Sequence, residues 1–363
     1  MRPSLRTWVG DFFGAFADTA ILLPLLTLLC LKSGFSLSAL LISSGALYLA
    51  SGLLFRLPMP VQPLKSLALS ALALGATRDE IQISTLAVGA FFLALFFFGQ
   101  RLIRLPDALV RTLQWSLGIL LVLQGVGGGA SGLEIAGIIL LAAILWWMDQ
   151  KTSWPILGIF AFSVFSTSLI PGMDPLPSFA SFGIDPPRLS VILALILPQL
   201  ALTSANSVLG TELTCRDYFP NHEFRGLRSR LLLSIGAGNL IMGLIGGLPF
   251  CHGSGGLTAH YRAGARSAGM NAVIGSALLI LGWVALAYPR MNWNALPHLP
   301  ASALLVTVGI YHLGLARQLL LTQAGQRILL TATLVTWITQ NLLYALVASA
   351  CVYSIPHRRP CHE

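Results

Sequence analysis

The chain has 363 residues, of which 55% are hydrophobic and only 10% are charged, and its mean hydropathy is +0.78. Because soluble domains carry about 25% charged residues, this composition excludes an ordinary soluble protein. The formal net charge of +9 does not predict a nucleic-acid partner, since the basic residues stand singly or in short groups between apolar runs.

The apolar runs predict membrane-spanning helices. Each approaches the roughly 20 residues that cross about 30 Å of hydrocarbon as a helix, and the alternating polarity of barrel strands is absent. An all-α polytopic membrane protein is therefore the predicted fold class, because only helices and closed barrels satisfy their backbone groups in lipid. The predicted spans, in chain order, are 8–31, 36–55, 81–100, 107–126, 132–149, 154–170, 188–210, 229–247, 267–288, 300–321 and a long run at 327–354. Two short segments, 57–75 and 248–264, begin with Pro or Gly clusters and bring the total to about 13 or 14 crossings.

The placement of arginine predicts the orientation in the cell membrane. The loops at 101–111 and 211–230 are rich in arginine, whereas those at 126–132 and 171–187 contain no Lys or Arg. Because positively charged loops stay in the cytoplasm, we expect the first pair inside, together with the N-terminus. The basic tail at 355–363 should also lie inside, which requires a bent pair of helices in the last apolar run.

The chain divides into two halves around its one long Pro-rich connector, 171–187. Each half has one crossing, a second crossing and then a short broken segment, at matching intervals. We therefore predict two inverted repeats, 1–170 and 188–354, joined by this external linker and followed by the tail at 355–363. Gly- or Pro-interrupted segments at corresponding positions of two halves are the best sequence pointer to a transporter's binding site.

The first broken segment, Pro58–Ser66, reads PMPVQPLKS. Its three prolines hold the chain extended, because proline fixes φ and moves the preceding residue out of the helical region. Pro63 suits the first helical position, where a missing N–H costs nothing. The free amides after Pro63 would then point back toward the extended stretch.

The second broken segment, Pro249–Leu257, reads PFCHGSGGL. Gly255 and Gly256 are expected to open its helix and, lacking side chains, to let a ligand reach the backbone. In inverted halves the two helix N-termini face each other, and each carries about half a positive charge. Together with the Lys65 ammonium they come to about +2, which suits a doubly charged oxyanion.

The predicted substrate site has a structural alternative for several of its members. Lys65 could instead snorkel from an interface, although an ionisable group inside a membrane segment is functional by default. His252 could be a hydrogen-bonded core histidine, and Gln62 and Ser254 could cap their helices. The predicted set is Gln62, Lys65, Ser66, His252, Gly253, Ser254, Gly255 and Gly256.

Three further polar residues are candidates for an additional substrate or coupling site. Asp18 is the acid deepest in a predicted span, and it could bind a coupling proton or Na⁺, or pair with Lys65 or an arginine. Gln199 and Asn206 belong to a polar stripe at helical spacing, and such stripes also join helices to one another. Both interpretations stay open for these residues.

No catalytic group, cofactor or metal site is predicted. The five cysteines show neither a paired spacing nor a zinc pattern. Cys251 and His252 form an adjacent pair of nucleophile and base, but adjacent side chains point in different directions, which argues against a membrane-embedded enzyme. The sequence also leaves an anion channel and a non-transporting anion sensor open as rival functions, although paired broken helices favour alternating access.

The two broken segments carry a family resemblance. Pro58–Ser66 resembles the PMPVQPMK-type motif of the molybdate transporter family. The run CHGSGGL at 251–257, followed by YRAGARS at 261–267, is similar to that family's CHGAGGL and YRFGAR motifs, and LPQL at 197–200 matches its LPQLPLT stretch. The opening Gly10–Gly14 departs from the family's usual GDLGT-type start.

The resemblance implies a distant relationship to the sulfate permeases, with seven-plus-seven inverted repeats and core and gate domains of the sulfate permease and nucleobase transporter type. The core would comprise segments 8–100 and 188–288, and the gate segments 107–170 and 300–354. The implied activity is uptake of molybdate, with sulfate as the alternative, at a site between the third and tenth segments. The expected partners are this oxyanion, the lipid bilayer, a coupling proton or Na⁺ and a second copy in a homodimer, without nucleic acid.

Overall fold

The computed structural model of the protein describes most of the chain as helices. The described residues are 5–99, 106–127, 131–149, 186–288 and 298–354. Within these ranges, five helices are long and apolar enough to cross a membrane: Leu37–Phe55, Arg78–Phe98, Asp107–Val126, Leu189–Tyr218 and Gly269–Ala287. The predicted span at 154–170 lies outside the described residues, as do most of the linker and the tail.

The described part of the first half contains seven helices and one short strand. They are α1 (Leu5–Gly14), α2 (Thr19–Ser33), α3 (Leu37–Phe55), β1 (Gln62–Pro63), α4 (Lys65–Leu74), α5 (Arg78–Phe98), α6 (Asp107–Val126) and α7 (Gly132–Asp149).

The described part of the second half begins with one long span, in which a π-helical stretch, Thr203–Gly210, joins two α-helices. The elements are α8 (Leu189–Leu202), α9 (Thr211–Tyr218), α10 (Leu227–Ile245), β2 (Phe250–Cys251), α11 (Ser254–Arg262), α12 (Gly269–Ala287), α13 (His298–Leu315), α14 (Gln323–Thr339) and α15 (Leu342–Tyr353). A 3₁₀ turn, Arg317–Leu321, lies between α13 and α14.

The first predicted span is wrong as a single helix, because the chain breaks between α1 and α2. His260 Nδ1 lies 2.7 Å from the carbonyl oxygen of Gly14, an acceptor that a continuous helix would use for its own backbone. The Phe16 carbonyl accepts from the Thr19 hydroxyl at 2.6 Å and from the Thr19 N–H at 3.1 Å, so tighter turns and side-chain bonds replace the regular helical bonds at the break. As a result Asp18, which is 1% exposed, lies at the start of α2 in the interior of the protein.

The predicted helical start at Pro63 is also wrong, because α4 begins two residues later, at Lys65. The Leu64 N–H donates to the Pro249 carbonyl at 2.9 Å. This bond to the other broken segment keeps the chain extended through Leu64, and Pro63 becomes part of a strand pair instead of a helix.

The last apolar run, 327–354, consists of two helices, as we predicted from the need for an even number of crossings. The chain turns between α14 and α15 at Gln340, which has a φ of 48°, in the left-handed region. Asn341 then caps α15, since its Oδ1 accepts from the Leu343 N–H at 2.9 Å. The two helices pack against each other as a hairpin.

Three pairs of long helices interlock the two halves. Helix α3, the second segment of the first half, packs on α12, the fourth segment of the second half. In the reciprocal pair, α5 is the fourth segment of the first half and packs on α10, the second segment of the second half. The fifth segments of the two halves, α6 and α13, pack on each other. Each pair crosses at glycines, namely Gly45 with Gly275, Gly89 with Gly236 and Gly118 with Gly309. A Cβ on Gly118, for example, would lie 2.7 Å from the Gly309 carbonyl oxygen, so only glycines allow this approach. The reciprocal pairing supports the predicted repeat.

The two broken segments meet as a short antiparallel ladder, in which Gln62 pairs with Cys251 and Pro63 with Phe250. Two buried asparagines complete the hydrogen bonding of the extended chain. Asn271 bonds both the N–H (3.1 Å) and the carbonyl (2.7 Å) of Met59. Asn239 does the same for Phe250, at 2.9 and 2.7 Å. The extended backbone at Met59 and Phe250 is therefore hydrogen-bonded in the interior, which a chain that spans lipid requires.

Candidate anion site

The helices that follow the strand pair begin at its two ends, α4 at Lys65 and α11 at Ser254. The first amides of a helix have no partner within it, and they form the positive end of its dipole. Because the strands pair antiparallel, both helix N-termini lie next to the same ladder. The structure thus brings the two broken segments together, as the repeat predicted.

Lys65 lies at this junction and is buried, with 1% of its surface exposed. Its Nζ is 3.5 Å from Nε2 of His312, on α13. The ion pairs found within the described ranges are made by arginines, and none involves Lys65. A lysine buried where α4 begins does not have the position of a snorkelling side chain.

Gln62 and Asp18 bond to each other beside Lys65. Gln62 Nε2 donates to Asp18 Oδ1. Asp18 Oδ2 and Gln62 Oε1 are both buried and have no hydrogen-bond partner in the described part of the chain. A Cβ on Gly256 would lie 2.8 Å from Asp18 Oδ2, so this glycine is required by the close approach of the acid. A Cβ on Gly253 would meet the Gln62 side chain in the same way.

The Ser254 hydroxyl connects three segments. It donates to Asn206 Oδ1 at 2.7 Å and accepts from Gln114 Nε2 at 2.8 Å. Asn206 lies in the π-helical stretch, a geometry that is frequent at functional sites. Gln114 comes from α6, so a predicted gate helix contacts the start of α11 directly.

Gln199 acts as a cap for α4. Its Oε1 accepts from the Leu67 N–H at 2.9 Å, and its Nε2 donates to the Thr203 hydroxyl at 2.7 Å. One of the free amides of α4 is thereby used, which leaves those of Lys65 and Ser66 nearest to the strand pair. Ser66 itself is 2% exposed.

His252 faces away from the junction. Its Nδ1 is 2.7 Å from the Pro60 carbonyl, and its Nε2 is 2.9 Å from the Ser234 hydroxyl. Successive residues of a strand point to opposite sides, and Gln62 and Cys251 share the side that faces Lys65. The position of His252 therefore favours its interpretation as a hydrogen-bonded core histidine.

Sequence reasoning did not single out His312 or Gln114. Both lie on predicted gate helices far along the chain from the two motifs, and no motif marks them. A usable signal was present, since each is a polar side chain inside an otherwise apolar span. Within the described ranges there is no group of three or more His, Cys, Asp or Glu side chains that could hold a metal ion.

Comparison with known proteins gives the family. Residues 10–121 and 191–311, more than half of the chain, match the family model described as molybdate transporter of the MFS superfamily. The chain belongs to this family, which confirms the predicted resemblance. It is 25% identical to molybdate transporter 1 of Arabidopsis thaliana, over 77% of this chain and 73% of the relative. It is 28% identical to molybdate transporter 2 of the same plant, over 76% of this chain and 72% of the relative.

Two solved structures share the fold. One is the transmembrane domain of a cyanobacterial bicarbonate transporter, BicA, with a TM-score of 0.66 and 17% identity, covering 96% of this chain and 98% of that one. The other is the murine anion transporter Slc26a9 in its inward-facing state, with a TM-score of 0.68 and 13% identity, covering 97% and 68%. These similarities show an all-α, multi-pass membrane fold, and the family is one of transporters, not of enzymes.

Proposed function

We propose that this protein is a secondary transporter that moves a tetrahedral oxyanion, molybdate, across the cell membrane by alternating access. The observation that carries the proposal is the convergence of two helix N-termini and the buried Lys65 at the strand pair. The proposed substrate-binding groups are the free amides of Lys65, Ser66, Gly255 and Gly256, the Lys65 ammonium, and the side chains of Gln62 and Ser254.

The electrostatics of this junction suit a dianion. Each helix N-terminus contributes about half a positive charge, and Lys65 adds one, so the site approaches +2. Backbone amides aimed at a ligand form an anion site without any dedicated side chain. The names of the two plant relatives support molybdate over sulfate as the transported oxyanion.

A coupling ion belongs to the same proposal, with Asp18 as its site. A proton on Asp18 Oδ2 would give Gln62 Oε1 a donor, so one hydrogen would satisfy both unpaired acceptors. Proton binding would also remove a negative charge close to the anion. A proton therefore fits these two atoms better than Na⁺, which needs several further oxygen ligands.

Orientation is proposed from charge. Four arginines cluster at the end of α9, in the loop after it and in the first turn of α10, namely Arg216, Arg225, Arg228 and Arg230. This end of the two helices is assigned to the cytoplasm together with the N-terminus. The predicted homodimer remains an expectation from the family resemblance.

Uptake by the purified protein in proteoliposomes tests the proposal. We expect saturable accumulation of radiolabelled molybdate that unlabelled molybdate abolishes and that an inward proton gradient stimulates. Sulfate at equal concentration should compete more weakly. Binding of molybdate without any flux would indicate a sensor, non-saturable flux would indicate a channel, and stronger competition by sulfate would reverse the substrate assignment.

A further inference from the structure

His312 lies where the oxyanion is proposed to bind. It projects from α13, a predicted gate helix, and is 1% exposed. Its Nε2 is 3.5 Å from Lys65 Nζ. A Cβ on Gly255 would lie 2.7 Å from the same nitrogen. One imidazole nitrogen thus occupies the space between the lysine and the start of α11, which are the two positive groups of the site.

The hydrogen bonds of the ring fix its tautomer. His312 Nδ1 is 3.0 Å from the carbonyl oxygen of Val308, one turn earlier in α13. A carbonyl can only accept, so Nδ1 carries the hydrogen. In the neutral ring Nε2 then bears a lone pair, and the Lys65 ammonium, which can only donate, is its partner. An imidazolium would place a second positive charge against Lys65.

We infer that the His312 ring occupies the position of the proposed anion, and that the transported oxyanion must displace it. This inference rests on the proposed function. The Nε2 lone pair accepts from Lys65, as an oxyanion oxygen would, and it repels such an oxygen at the same position. Anion binding therefore requires that the ring leave Lys65 and Gly255.

The displacement is linked to movement of the gate helices. Gln114, on α6, donates to the Ser254 hydroxyl on α11 at 2.8 Å. Because α6 and α13 pack tightly through Gly118 and Gly309, the two polar contacts connect one pair of helices to the core. An anion that accepts from Lys65 Nζ removes the contact between α13 and the core. The Gln114 bond persists, because it is donated into the Ser254 oxygen, so occupancy of the site loosens α13 from the core while α6 stays attached.

The inference is tested by measuring the Kd for molybdate of the whole 363-residue chain in detergent. If the oxyanion competes with His312, His312→Ala should lower the Kd for molybdate about tenfold, since a hydrogen bond to a charged group no longer has to be broken. His312→Gln, which keeps an acceptor of similar reach, should stay near the wild type. His222→Ala, in the loop between α9 and α10, is the control histidine and should leave the Kd unchanged.

A higher or unchanged Kd for His312→Ala would overturn the inference, because a ligand residue or a purely structural residue gives those results. Should His312→Ala not fold, His312→Ser tests the same competition, because a serine in a helix can bond to the carbonyl one turn earlier and leaves the space beside Lys65 open. It should lower the Kd about tenfold, and an unchanged or higher Kd would equally overturn the inference. A wild type that binds no molybdate would contradict the proposed function itself, whereas normal wild-type binding with unaltered variants would contradict only the role of His312.

Discussion

Lys65 is the residue on which the charge of the site depends most. A unit charge at about 4 Å from an anion is worth roughly 4 kcal/mol at an effective dielectric constant near 20. We therefore expect Lys65→Ala to weaken molybdate binding at least about tenfold, after allowance for solvent and relaxation. The measurement is the rise in melting temperature that molybdate produces in detergent, compared between wild type and variant.

A purely structural role of Lys65 predicts that its substitution lowers thermal stability more than it lowers molybdate affinity. If the lysine only stabilises the fold, Lys65→Ala should melt earlier without ligand and keep the full ligand-induced shift. Lys65→Arg is a useful companion, because the planar guanidinium is larger than an ammonium and should not restore binding. An unchanged molybdate-induced shift in Lys65→Ala would remove this residue from the site.

Asp18 is expected to control coupling and not binding. Asn at this position offers an N–H to Gln62 Oε1 and an oxygen to Gln62 Nε2, so Asp18→Asn imitates the protonated acid. We expect the variant to fold and to exchange internal for external molybdate, while proton-gradient stimulation of uptake disappears. Persistent stimulation would show that the proton binds elsewhere, and stimulation of the wild type by a Na⁺ gradient alone would assign the coupling ion to Na⁺.

At the scale of elements, the strand pair depends on the asparagines that hold its backbone. Asn271→Leu would leave the Met59 carbonyl without this partner in a buried place, at a cost of about 1–3 kcal/mol. The Met59 N–H would lose one of its two acceptors and keep the Leu57 carbonyl. The melting temperature without ligand should therefore fall markedly. Asn221→Leu, on an exposed loop, is the control and should melt close to the wild type. Equal melting temperatures of the two variants would contradict the stabilising role of Asn271.

Sequence reasoning predicted the helices whose ends are determined by residues close in the sequence. The apolar run at 107–126 coincides with α6, and the run at 132–149 coincides with α7. It failed at the break between α1 and α2, because the apolar pattern continues there and the break depends on His260, far along the chain. The start of α4 was misplaced for the same reason, since a bond to Pro249 decides it.

The candidate site was predicted only as far as its backbone. Pro, Gly and Lys in short motifs indicated the two broken segments and their charge, because backbone geometry follows from those residue types alone. The side chains that complete the site come from other helices. His312 and Gln114 reach it only because α6 and α13 pack against the core, and pairing of distant helices leaves no local pattern in a single sequence.

At the scale of the whole molecule, the arginine distribution predicts which ends of the helices face the cytoplasm. Cysteine can be introduced at Gly132, where a Cβ has no neighbour within 4 Å, and at Asn221, on an exposed loop. In a background lacking Cys351 and Cys361, an impermeant thiol reagent added to intact cells should label Gly132→Cys only. Asn221→Cys should react only after the membrane is opened. Labelling of both from outside would refute the predicted topology.

The oxyanion is proposed to bind where α11 begins, against amides that glycine leaves accessible. A single methyl group at this position tests the proposed placement. Gly256→Ala places a Cβ against Gln62 and 2.8 Å from Asp18 Oδ2, whereas Gly314→Ala, on α13, places one where nothing lies within 4 Å. At equal reconstituted protein, we expect saturable molybdate uptake to persist in Gly314→Ala and to be lost in Gly256→Ala, with both variants folded. Normal uptake and affinity in Gly256→Ala would contradict the placement of the anion at the start of α11.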